Sequence, residues 1–149
     1  MKIKYPLESL LRKREWDVDI QKGQLAVQRA LVDQLKNSYL LSKDRYEGQI
    51  SRIEAVFSGQ SLSLSRYELE RAYLPELSRK MEEAQIEWLE AIEVEEQMRE
   101  RLRELMIELQ VTQEHKKQHL LEAMSELQKK ELKAADEQWL LTNPIGGFA

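Results

Sequence analysis

Two histidines, His115 and His119, stand four residues apart, the spacing at which two imidazoles on one helix face can share a metal ion. Glu122 is the one nearby carboxylate suited to be a third ligand, and no second donor cluster completes a site. Histidines in a Lys/Gln-rich stretch usually belong to a solvated face, so no metal is expected. The glutamate pairs Glu82/Glu83 and Glu95/Glu96 have the chemistry for acid–base work. On a helical rod, however, no cleft would desolvate them or separate their pKa values. They read as a solvated face. There is no Gly-rich phosphate loop, Ser-His-Asp set or zinc-protease motif, so neither catalysis nor a cofactor is expected.

The aromatic residues carry a different chemistry. Tyr39, Tyr46, Phe57, Tyr67 and Tyr73 cluster on either side of residue 60, with Trp88 just beyond. Packing between helices accounts for some of them, and Tyr39 and Tyr46 lie on an apolar stripe. A two-helix seam cannot bury so many rings, so others should face outward as binding anchors. Tyr46, Ile50, Phe57, Tyr67 and Tyr73 form that candidate group. Near the start, Lys2, Lys4, Arg12, Lys13 and Arg14 make five of the first 14 residues basic. Such a cluster is either a solvated face or an electrostatic docking patch.

The elements that position these residues are long helices. Of 149 residues, 34% are charged, with only 5 Gly and 3 Pro, a composition suited to a buried seam more than a globular core. No cysteine is present, which excludes disulfides and thiolate metal sites. The first residues lack the apolar run of a secretory signal, and nowhere do 18 apolar residues run together. These features predict a soluble, cytoplasmic protein. Charge is uneven: residues 1–58 hold 11 Lys/Arg against 8 Asp/Glu, whereas residues 59–149 hold 12 against 19. The acidic excess argues against nucleic acid or an anionic membrane as the main partner.

Taking every seventh residue from Leu11 gives Val18, Leu25, Val32, Tyr39, Tyr46 and Ile53, all apolar. That period predicts one continuous helix with a buried stripe. The companion positions Arg14, Gln21, Gln28, Leu35, Ser42, Gln49 and Val56 are mostly polar, so half of the seam reads as weak. The first helix is expected over about 6–58, from Pro6 to Gly59, with Gly59 suited to a left-handed position after the last turn. A turn follows over 59–65. Ser65-Arg66-Tyr67-Glu68 then fits a capping box, with Leu64 and Leu69 placed as a hydrophobic staple. The second helix is expected over about 66–141, with Pro75 kinking it or splitting off a short first segment.

The second seam reads Leu74, Leu77, Met81, Ala84, Trp88, Ala91, Met98, Leu102, Leu105 and Leu109, with Glu95 intruding. It resumes only at Leu120, an eleven-residue step that predicts a local slip of register. Asn143-Pro144 ends the helix, leaving residues 142–149 as a flexible tail. A short turn between long helices predicts an all-α fold, an elongated antiparallel two-helix coiled-coil hairpin forming a single domain over 1–149. The second helix is the longer, so its last two dozen or so residues should overhang. Leu120, Leu127, Ala134, Trp139 and Leu141 would then form an unpaired stripe suited to docking.

The run Tyr5-Pro6-Leu7-Glu8-Ser9-Leu10-Leu11, followed by Arg12-Lys13-Arg14-Glu15, resembles the opening of the type III secretion stalk family, flagellar FliJ and its injectisome YscO/CdsO-type counterparts. As motif the resemblance covers about the first 15 residues; length, hairpin, Ser-x-x-Glu helix start and longer second helix extend it as architecture. It implies a non-catalytic part like the central stalk of rotary ATPases. The hairpin termini would sit in the pore of the hexameric export ATPase, and the body would reach the cytosolic domain of the membrane export gate. Secretion chaperones are further implied partners, and the protein would be peripheral to the export apparatus, without membrane insertion. ATPase docking would fall to Lys2, Lys4, Arg12, Lys13, Arg14, Leu120 and Leu127. No motif of that family carries over to the part near the turn, so gate or chaperone binding is assigned from the aromatics themselves, to Tyr46, Ile50, Phe57, Tyr67 and Tyr73. The tail Asn143-Pro144-Ile145-Gly146-Gly147-Phe148 departs from the charged ending usual in that family. The alternative is a generic structural coiled coil or a holdase-type chaperone; a membrane-surface helix is disfavoured by the acidic balance.

Overall fold

In the computed structural model, residues 3–59 and 64–143 are described. The expected turn residues 60–63, the basic residue Lys2 and the tail from Pro144 lie outside them. The fold is all-α, a helical hairpin of α1 (Glu8–Ser58), a short α2 (Leu64–Ala72) and α3 (Leu74–Thr142). No described residue is in a strand.

Local chemistry explains the breaks. Pro75 stands second in α3, where its missing N–H needs no helical partner. Tyr73 separates α2 from α3; its N–H reaches back three residues to the Glu70 carbonyl at 3.4 Å, and its own carbonyl accepts from Leu77 at 3.1 Å. The chain therefore splits at the proline, leaving a nine-residue helix before it. That helix begins at Leu64, so Ser65 lies inside its first turn and not ahead of it. Gly59 also differs from expectation. It has no positive φ, and its N–H closes a tight last turn on the Val56 carbonyl at 3.4 Å.

The chain divides into two compact units, one of Ile20–Arg103 and one combining Met1–Asp19 with Glu104–Ala149. In the Ile20–Arg103 unit, both halves of the α1 heptad turn inward. Leu25 and Gln49 are buried, and Gln21, Gln28, Val32, Leu35, Tyr39, Ser42, Tyr46, Ile53 and Val56 are all partly covered. The polar companions are not a weakness that solvent fills. Gln21 Nε2 donates to the Met98 carbonyl at 3.2 Å, Gln28 Nε2 to the Ala91 carbonyl at 2.9 Å, and Gln49 Nε2 to the Glu70 carbonyl at 2.7 Å. Residue numbers rise along α1 as their partners' numbers fall, so the contacts run in antiparallel order. Glu95, out of place by pattern, is largely covered and pairs with Arg29 of α1 at 3.4 Å and Arg99 at 2.9 Å. Tyr39 stacks on Trp88 with ring centroids 5.4 Å apart.

In the other unit the core is Tyr5, Leu11, Val18 and Leu105, with Thr112 buried among them. The eleven-residue step after Leu109 is bridged by covered polar residues, and the covered stripe then moves onto Leu120, Ala123 and Leu127. The covered positions of α3 continue as Leu109, Thr112, Lys116 and His119, at steps of three and four. Each of the polar residues in this step has a partner on the N-terminal segment or α1. Arg14 Nη1 donates to the Glu108 carbonyl at 3.0 Å and to Thr112 Oγ1; Thr112 Oγ1 in turn donates to the Glu108 carbonyl at 2.9 Å. Lys116 pairs with Glu8 at 2.9 Å. Past Leu127 every described residue of α3 is exposed.

A helix carbonyl already accepts its own helix's N–H, so losing a second donor leaves no orphan. Replacing Gln28 with Leu should therefore stabilise the fold by about 1 kcal/mol, because apolar cover replaces a hydrogen bond of small net value. Leu25→Ala, at 3% exposure, should destabilise it by about 2–3 kcal/mol. Thermal and urea melts would check both; a destabilised Gln28→Leu would show that the amide contributes more than its exchange with water.

Candidate functional site

The histidine pair is built into the fold as a clamp for Tyr5. The phenol packs between the two imidazoles, at 5.6 Å from His115 and 5.5 Å from His119, and its hydroxyl lies 2.5 Å from His115 Nδ1. Glu114, Gln118 and Glu122 line an open groove beside it. Among the described residues, no group of three or more His, Cys, Asp or Glu is placed to hold a metal ion. The four-residue spacing grips a ring instead, and so ties the segment before α1 onto α3.

The basic residues separate into two kinds. Lys4, Arg12 and Lys13 are exposed, with Arg12 only loosely paired to Glu8 at 4.0 Å. Arg14 belongs to the seam through its bonds to Glu108 and Thr112, so it is a structural residue of this unit. Lys2 lies outside the described residues. On α3, Leu120 and Leu127 are half-covered, and Leu120 helps Ile3, Tyr5 and Lys116 line a groove at the start of the chain.

The aromatic candidates also divide. Tyr46 and Ile50 are partly covered along the α1 seam, so they serve packing first. Phe57 is 63% exposed and leans on the half-covered Tyr67 with centroids 6.2 Å apart. With Ile53, Glu54 and Ser58 these two rings line an open, mainly apolar groove. Tyr73, in the break between α2 and α3, is also exposed. Phe57, Tyr67 and Tyr73 are thus the outward part of the group.

Sequence reasoning missed other outward apolar residues. Ile20, Gly23 and Val27 of α1 line a groove with Met98, and Val27 is 73% exposed. They recur at three- and four-residue steps on the far side of the heptad, a signal masked by the stronger Leu11-to-Ile53 series. The ionisable groups at the start of α3 are a helix-start arrangement on open surface. Arg79 bonds Glu76 at 2.6 Å and Glu83 at 2.9 Å, and the hydrogen bond from Arg79 holds the Glu76 carboxyl below its ordinary range. No described helix is long and apolar enough to cross a membrane. Comparison of the chain with family models, with curated proteins and with solved structures finds no match.

The division of the basic cluster is testable by melting. Arg14→Ala should lower stability by about 1–3 kcal/mol, because a charge-assisted bond to Thr112 and a carbonyl is lost within the seam. Lys13→Ala, on the exposed face, should change it by less than about 0.5 kcal/mol. Equal effects would place Arg14 on the surface.

Proposed function

We propose that this protein is a non-catalytic stalk or adaptor of a type III protein export apparatus. In this reading one end engages the hexameric export ATPase, and the aromatic group meets the cytosolic domain of the export gate or secretion chaperones. The observation that supports it best is the composition of one compact unit. The motif-bearing start of the chain and the late part of α3 share it, and Lys4, Arg12 and Lys13 face outward there. A docking end of this kind needs both helices together and free positive charge toward an acidic ring interior. The open groove of Phe57 and Tyr67, with Tyr73 exposed nearby, supports a second contact in the other unit.

The test uses the two exposed basic residues and leaves Arg14 in place. Arg12→Glu combined with Lys13→Glu should abolish stimulation of the cognate export ATPase while circular dichroism and melting stay unchanged. Stimulation by the unaltered protein should decline as ionic strength rises, since exposed charges are screened within about 10 Å at 0.1 M. Phe57→Ala with Tyr73→Ala should spare the ATPase effect and weaken gate or chaperone binding. Full stimulation by the charge-reversed protein would refute the docking end, and no response from any export ATPase would refute the stalk reading.

A further inference from the structure

Past Leu127, α3 continues to Thr142 with every residue exposed. Two apolar stripes run along this part of the helix. One, through Leu120, Ala123 and Leu127, extends the covered seam. The other runs Leu121, Met124, Leu132, Ala135 and Trp139, with the polar Gln128 among them, at steps of three, four, four, three and four. At 100° per residue these six fall within an arc of about 80°, a narrow coiled-coil face. All six are exposed, with Leu132 at 66% and Trp139 at 57%. No described residue covers this face.

We propose that the face pairs with the same face of a second copy of this chain, antiparallel, about a two-fold axis between Lys133 and Ala134. The flanking charges select both the partner and the direction. With the axis there, Leu132 meets Ala135 of the second copy, Gln128 meets its Trp139, and Lys129 lies beside its Asp136. Symmetry repeats each contact, so two Lys–Asp pairs flank a core of two Leu132–Ala135 and two Gln128–Trp139 contacts. Parallel pairing along the same face would instead set Glu131 against Asp136 of the second copy, a like-charge contact made twice. The described overlap, from Met124 to Asn143, is about 30 Å of helix. That is short of a standard protein interface, so the dimer is weak and dependent on concentration. Its stripe lies roughly 100° around the helix from the Leu120–Leu127 side assigned above to ATPase docking.

Sedimentation equilibrium of the full chain across the micromolar range tests this without any export component. Its outcome is therefore independent of the stalk reading. The unaltered protein should rise from monomer toward dimer mass, and Leu132→Asp should remain monomeric. Lys129→Asp should weaken the dimer about tenfold, since two attractive surface pairs become repulsive. Adding Asp136→Lys should restore it. This charge exchange keeps the test decisive even if Leu132→Asp perturbs the helix. The chain has no cysteine, so single introduced thiols report direction unambiguously. Mixed Leu132→Cys and Ala135→Cys proteins should form the mixed disulfide under mild oxidation. A monomer at all concentrations, preferential Leu132→Cys self-linkage, or a dimer indifferent to the charge exchange would overturn the proposal.

Discussion

A carbonyl oxygen inside an α-helix has two lone pairs, and the helix's own N–H occupies one. The second is where α1 takes hold of α2 and α3 in this protein. Gln21, Gln28 and Gln49 reach the carbonyls of Met98, Ala91 and Glu70, and Arg14 reaches that of Glu108. These donors occupy the heptad positions that apolar residues would fill in an ordinary coiled coil. Each covers backbone that leucine would cover with more apolar area and less direction. The seam is consequently held by geometry as much as by hydrophobic burial, and only six apolar residues among those described are buried.

The two units meet this constraint by different means. In the Ile20–Arg103 unit, the amides alternate with a Tyr39–Trp88 stack and an Arg29–Glu95–Arg99 cluster. The Trp88 indole N–H is buried without a partner among the described residues, so the stack rests on ring contact. In the other unit, charged and aromatic polar groups replace the amides: Arg14 on Thr112, Glu8 on Lys116, Tyr5 on the two histidines. Side chains that look like surface chemistry in the sequence are therefore the packing of this unit.

The grooves lined by the described residues are open to solvent. The exposed elements are of the kinds proteins use on one another: basic side chains at the start of α1, aromatic rings around the α1 end and α2, and apolar helix faces.

The heptad of Leu11 through Ile53 is readable without coordinates because burial along one face imposes a seven-residue period on the chain itself. Composition excluded thiol chemistry and pointed to long helices, and Pro75 marked the break because proline lacks the N–H that a helix interior requires. The polar part of the seam was less legible for the complementary reason. Gln21 and Gln28 read only as the weak half of the seam, and Thr112 and Lys116 gave no signal, because the partner of each lies tens of residues away in sequence. The gap between Leu109 and Leu120 had the same origin: a period read only from apolar residues stops where the covered residues become polar. Likewise, only the packing of Tyr5 decided that His115 and His119 form a clamp, and only the bonds to Glu108 and Thr112 separated Arg14 from Arg12 and Lys13. Hydrophobic period is a local property of the chain, whereas the satisfaction of a polar group depends on what the fold brings opposite it.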